Sequence, residues 1–135
     1  MSEAPKCVNP STWPRPSGFS HSIIAEGKTI TLAGQIGWDP VREELISADF
    51  VQQTRQALAN VVSALEAAGA KAEHLVRLTW YITDRNAYLG NLKAIGEAYR
   101  EEIGPHYPAM SVVIVAGLIE QGAKVEIEGT AVLPQ

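Results

Sequence analysis

The side chains able to do chemistry in this chain are few and scattered: Cys7, His21, His106, Ser111 and a carboxylate pair, Glu126 and Glu128. The two glutamates lie in Lys124-Val125-Glu126-Ile127-Glu128, so on a strand they share a face. Taken alone, such a pair reads more readily as a solvated or interface pair than as a general acid/base site. Ser111 has no histidine and acid in evident register, which argues against a nucleophilic triad. Cys7 is the one cysteine, which excludes an intramolecular disulfide, and with three histidines in separate contexts it makes no tetrahedral zinc spacing. Beside it stands only Lys6 to activate the sulfur, so Cys7 reads as a spare thiol. His21 shares the direction of Phe19 on a strand and so points toward any cleft there, yet a histidine at a strand end is more often a satisfied polar residue. Neither a metal nor an organic cofactor is expected.

Strands and helices of recognisable period must position these residues. Four prolines between Pro5 and Pro16, followed by Gly18, predict an irregular lead-in over residues 1–18. Short β-prone runs at Phe19 to Ile24 and Thr29 to Ile36 flank Glu26-Gly27-Lys28 and predict a hairpin. Trp38 to Glu44, with Asp39-Pro40, reads as a polar turn. Asp49 with Gln52 resembles a capping box opening a helix that Gly69 stops. Val51, Arg55 or Thr54, Leu58, Val61, Val62 and Leu65 form one stripe, with Gln52, Gln56, Asn60 and Ser63 opposite. Leu75 to Thr83 alternates as a strand whose second side carries Arg77 and Tyr81 toward a partner or a pocket edge. A second helix is predicted from about Asn86 to Ile103, ended by Gly104-Pro105. Ala109 to Ala116 is apolar on both faces and predicts a central, fully covered strand. After a break over Gly117 to Gly122, Lys124 to Leu133 places Val125, Ile127, Gly129 and Ala131 on one side and Glu126, Glu128, Thr130 and Val132 on the other. The order is ββαβαββ, an α+β sheet with two helices on one face. Its other face needs a cover, for which another subunit is the economical answer.

Composition narrows the function classes. The chain has 135 residues, 46% of them apolar, with 11 Lys+Arg against 15 Asp+Glu and a formal charge of −4. That is the length of a single domain, 1–135, able to bury a core without staples. The acidic balance and dispersed basic residues argue against a nucleic-acid partner. Trp38 and Trp80 read as core or interface anchors rather than platforms for bases. No stretch has the length and apolarity of a membrane span, and the first residues do not resemble a signal peptide. The expectation is a cytoplasmic protein that binds or acts on a small molecule.

Several ordered segments together resemble the Rid (YjgF-like) family: Gly18-Phe19-Ser20-His21, Ala33-Gly34-Gln35-Ile36, Gln53-Thr54-Arg55-Gln56-Ala57-Leu58, Ala67-Ala68-Gly69-Ala70, Tyr107-Pro108-Ala109-Met110-Ser111 and Lys124-Val125-Glu126-Ile127-Glu128. The resemblance runs from about Phe19 to Val132. It implies a chorismate-mutase-like fold, a homotrimer with an inner barrel of sheets, ligand clefts between subunits, and hydrolytic deamination of imines and enamines such as 2-aminoacrylate. It also implies the site: Glu126 as the catalytic, water-positioning residue, and Phe19, Gly34, Leu92, Met110 and Val112 as substrate-binding residues. Two positions depart from the family pattern. Met110 stands where the Pro-Ala-Arg-Ser motif has arginine, and Phe19 where a tyrosine is usual. A thioether cannot grip a carboxylate as a guanidinium does, and losing one charged hydrogen bond costs roughly 1.5–3 kcal/mol. The chain therefore reads as a member of a subgroup without the active-site arginine, for which ordinary 2-aminoacrylate deamination is not expected. Three functions follow in order: an imine or enamine deaminase or related hydrolase on another small metabolite, a noncatalytic small-molecule binder or sensor, and an endoribonuclease or translation inhibitor.

Overall fold

The structure is a computed structural model and describes residues 3–135. At its centre is a four-stranded sheet of order β3-β8-β6-β7, made from Lys28–Ile36 (β3), Leu75–Ile82 (β6), Ala109–Ile114 (β7) and Val125–Leu133 (β8). The β3-β8 and β6-β8 pairs are antiparallel. The β6-β7 pair is parallel, as a crossover through helices requires. Helix α1 (Phe50–Ala67) lies on one face of the sheet beside α3 (Leu92–Glu102). Leu58, Val61 and Leu65 from α1 meet Leu78, Trp80, Val125 and Ile127 in the core between the layers. The alternation expected for β8 is present: Val125, Ile127, Gly129 and Ala131 are buried, while Glu126, Glu128 and Thr130 turn to the other side. The α+β class is thus as expected, and among the described residues only one face of the sheet carries helices.

Local chemistry explains the ends of α1. Asp49 Oδ2 accepts from the Gln52 amide at 2.9 Å, and beyond Ala67 the chain turns at Gly69, whose φ of +84° favours glycine. The stripe needs one correction. Asn60, expected opposite the apolar side, is buried. Its Nδ2 donates to the carbonyls of Ile36 at 3.2 Å and Trp38 at 3.0 Å, holding the chain where it leaves β3. Gln53 is buried as well, donating to the Ser47 and Gly122 carbonyls and accepting from the Lys124 amide. Polar side chains on the inner stripe are tolerated because each finds backbone partners.

Five other expectations are corrected. The hairpin across Gly27 does not form: β2 (Ser22–Ile24) pairs instead with β1 (Lys6–Val8), and β3 pairs with β8. Gly27 serves close approach, since a Cβ there would lie 2.8 Å from the carbonyl carbon of Leu133. The lead-in over 1–18 is accordingly not irregular throughout, because Lys6–Val8 falls between Pro5 and Pro10 and keeps its amides for pairing. Within the expected turn at Trp38 to Glu44, β4 (Trp38–Asp39) and β5 (Glu44–Leu45) form a small ladder. The second helix is two, α2 (Arg85–Leu89) and α3. Gly90 caps the first, and Asn91 spends its side-chain amide on the Ala87 carbonyl at 2.7 Å. Finally, β7 is an edge strand rather than a covered central one. Val112, Val113 and Ile114 are 36%, 40% and 47% exposed in the single chain.

Candidate functional site

The residues singled out by sequence separate into two groups. The first lies on the helix side of the sheet. Residues 17–20 run alongside the start of β7: the Ser20 amide donates to the Pro108 carbonyl at 3.1 Å, and Ser20 Oγ donates to the Tyr107 carbonyl at 2.6 Å. That clamp brings Phe19 to the same cleft as Met110 and Val112 of β7 and Leu92 of α3. Met110 and Val112 are in register with Leu78 and Trp80 of β6, so all four side chains point to the helix layer. The cleft measures about 680 Å³ in the single chain. Its deeper wall is Trp80, Ile95 and Tyr99, all buried, with Tyr88 beside them. Burial raises the ionisation of the Tyr99 and Tyr88 hydroxyls above the ordinary phenol range. Tyr99 stacks on Tyr107 with centroids 5.1 Å apart, and its hydroxyl donates to the His106 carbonyl.

The second group lies on the opposite face. Glu126 is in register with Tyr81 and Ile36, and its carboxylate rests over Gly34. A Cβ at Gly34 would sit 2.7 Å from Glu126 Cδ and 2.8 Å from Cγ, so only glycine leaves that carboxylate its place. The two glutamates differ sharply. Glu128 accepts a hydrogen bond from the Tyr81 hydroxyl, which holds the phenol of this half-buried tyrosine above its usual ionisation range. Among the described residues Glu126 has no hydrogen-bond or ion-pair partner on its side chain. The expected placement of Glu126 beside Phe19, Met110 and Leu92 is therefore corrected for one chain: strand alternation puts the carboxylate on one face and the cleft on the other.

The remaining candidates have structural work. His21 is exposed, packed edge-on against both Trp13 and Phe19, and is not part of the cleft wall. His106 bonds the Leu75 carbonyl through Nε2 at 2.7 Å. Ser111 accepts from Arg77 at 3.2 Å, and Cys7 is an exposed free thiol. Sequence reasoning passed over Tyr88, Lys93 and Arg100, all at the cleft. Tyr88 was assigned wholly to the helix stripe, and the spacing of 93 and 100 along α3 was the available signal for a second, charged line on the same helix. Among the described residues no cluster of three or more His, Cys, Asp or Glu is placed to hold a metal ion, and no helix is long and apolar enough to cross a membrane.

Comparisons with known proteins bear on both groups. The family model described as endoribonuclease L-PSP matches residues 13–133. The chain is 30% identical over 130 residues to the 2-iminobutanoate/2-iminopropanoate deaminase of Capra hircus, covering 96% of this chain and 85% of that protein. Among solved structures it is similar to YyfB of Yersinia pestis, a Rid protein of unknown function, with a TM-score of 0.86 and 34% identity over 97% of this chain and all of that one. It is also similar to Escherichia coli TdcF, solved with bound serine, with a TM-score of 0.67 and 30% identity over 95% of this chain and 98% of that one.

Proposed function

The chain belongs to the Rid family, also described as endoribonuclease L-PSP, and from that premise we propose that it hydrolyses an imine or enamine of a small metabolite at a site shared between two copies of itself. One copy supplies the cleft of Phe19, Leu92, Met110 and Val112. The next supplies Glu126 over Gly34. In this reading three copies close in a ring, the homotrimer that the family resemblance implies, through a heterologous contact between two different surfaces. The bare polar sheet face and the exposed apolar edge strand β7 are then the covered surfaces. The compartment is the cytoplasm, and amino-acid-sized guests fit the family, as serine does in TdcF.

The observation that carries the reading is the unshared carboxylate of Glu126, held against backbone at Gly34 while its neighbour Glu128 is committed to Tyr81. A carboxylate so placed accepts a proton from water as the oxygen adds to the imine carbon. That proton passes to nitrogen, giving a carbinolamine; the proton of its hydroxyl then follows to nitrogen through the same carboxylate, the C–N bond breaks, and ammonia leaves as the carbonyl forms. The imine carbon is already electrophilic, so positioning and one general base meet the demands of the reaction. With Met110 in place of the family's arginine, the subgroup reading disfavours the shortest 2-imino acids, whose carboxylate is their main handle.

Glu126→Gln tests this directly. Ammonia release from imines generated enzymatically from bulky amino acids should fall about 100-fold or more, as loss of a general base implies. Mixing Glu126→Gln with Met110→Glu subunits should then restore activity at about a quarter of the sites in random oligomers, because intact halves meet at that frequency. Unchanged turnover in Glu126→Gln removes the catalytic reading. A second reading, a noncatalytic binder on the same scaffold, is favoured by the uncharged Met110 and predicts ligand retention in the cleft without turnover of any imine.

A further inference from the structure

The cleft has a charged margin that neither its strand residues nor the shared glutamate explain. Lys93 and Arg100 of α3 both line it, and both are exposed. Among the described residues neither is in an ion pair; the one pair found is Arg55 with Glu101, elsewhere on the helices. They are seven residues apart, or roughly 10 Å along a helix. Arg100 shortens that gap by folding back: its Nη1 lies 3.7 Å from where a Cβ of Gly96 would be. The glycine leaves the helix surface bare beneath the guanidinium, which allows a guest to approach. Across the cleft stand Phe19, Met110 and Val112, which with Leu92 at the start of α3 make an apolar bed with no charge. In the deeper wall, Trp80 is 3% exposed and its indole N–H has no acceptor, an unmet donor in a site otherwise free of polar demand.

We infer that the guest is a carboxylate with a bulky apolar substituent, held by Arg100 with support from Lys93, its substituent on the bed of Phe19, Leu92, Met110 and Val112. The anion is gripped from the helix, at the margin, rather than from strand β7. This deepens the proposed reading of the cleft as the substrate half of the site. The physical case is the pairing of a fork-shaped donor free of any carboxylate with an adjoining apolar wall. Trp80 adds a donor for a carbonyl oxygen, and Met110, with its flexible chain, can yield to let such an oxygen in.

Calorimetric binding of phenylpyruvate, its methyl ester and pyruvate to the whole protein tests the inference without needing turnover. Phenylpyruvate should bind about tenfold or more tightly than either the ester or pyruvate, and its affinity should fall as salt rises. Arg100→Gln should weaken phenylpyruvate about tenfold or more and Lys93→Gln about threefold, with ester binding unchanged by either. Both side chains are exposed, so the melting temperatures of the variants should match wild type and exclude a folding artefact. Equal affinity for acid and ester, indifference to Arg100→Gln, or no binding of phenylpyruvate overturns the inference. Its fate is separable from that of the deaminase reading. Loss of turnover in Glu126→Gln with binding indifferent to Arg100 leaves the deaminase and ends the helix anchor; Arg100-dependent binding with no imine turned over does the reverse.

Discussion

The two faces of the central sheet are built to opposite rules. On the helix side, Leu78, Trp80, Val125 and Ile127 vanish under α1 and α3, and the cleft opens between α3 and the edge strand β7. On the other side, Arg77, Thr79, Tyr81, Glu126 and Glu128 stand with no layer over them, tied by side-chain bonds from Tyr81 to Glu128 and from Arg77 to Ser111. Strand alternation makes the separation unavoidable: neighbours in sequence point apart, so a carboxylate at 126 never meets a guest seated against 110 of the same chain. In the proposed reading these two surfaces are the binding half and the reactive half of one site, which assembly would unite.

The largest effect that sharpens this contrast sets the two glutamates side by side. Glu126→Gln should cost at least about 100-fold in turnover, or roughly 2.7 kcal/mol, while phenylpyruvate affinity changes less than about threefold. Glu128→Gln should leave turnover within about threefold of wild type, because its carboxylate serves Tyr81. Equal losses in the two variants would show that the polar face acts as one charged surface rather than through one residue.

Bracing of the helix side comes next. Gln53→Leu leaves the Ser47 and Gly122 carbonyls and the Lys124 amide without their side-chain partner and should lower stability by about 2–3 kcal/mol in urea unfolding. No loss would mean that water reaches those groups. Met110→Arg should then shift the ratio of kcat/KM for the shortest imino acid over a bulky one by about tenfold in favour of the short one, as a second anion grip enters the cleft. An unchanged ratio would place the guest away from β7.

The smallest effect distinguishes the faces by alkaline titration. Folding holds the Tyr99 phenol above its ordinary range chiefly through burial, and the Tyr81 phenol chiefly through its bond to Glu128. In each case the unfolded chain releases the proton first. The stabilisation is therefore complete below about pH 10 and is lost as pH rises toward the folded value, for Tyr99 by at most about 1.4 kcal/mol per pH unit. Melting temperatures between pH 9 and 11.5 should fall more gently in Tyr99→Phe than in wild type, with Tyr81→Phe nearly superimposed on wild type because its bond to Glu128 lies on the uncovered face, where solvent screens it. Coincident slopes for Tyr99→Phe and wild type would remove burial as the cause.

Much of the framework was legible from residue order. The Asp49 cap, the Gly69 stop and the alternation of Val125 through Ala131 are local events, decided within a turn or a few residues, and they appear where patterning put them. Partners distant in the chain were not legible. The segment Ser22–Ile24 has equal β-propensity toward any neighbour, and its choice of Lys6–Val8 over β3 depends on where Ser20 is clamped to Pro108. Asn60 reads as a solvent residue until the carbonyls of Ile36 and Trp38 are seen to end beneath it. An apolar run such as Val112 to Ile114 tells that both sides want cover, without telling whether this chain or another provides it.

By itself, the sequence determined the period of each element, hence which side chains share a face, and it marked Glu126, Gly34, Phe19 and Met110 as residues worth following. Only the tertiary structure decided that these fall into two groups on opposite faces, that Glu128 is spent on Tyr81 and Glu126 is not, and that α3 sets Lys93 and Arg100 along the cleft. The reason is geometric. Periodicity is a property of consecutive residues, whereas the company a side chain keeps is set by strand register and helix packing, which bring together positions as far apart as Gly34 and Glu126, or Phe19 and Met110.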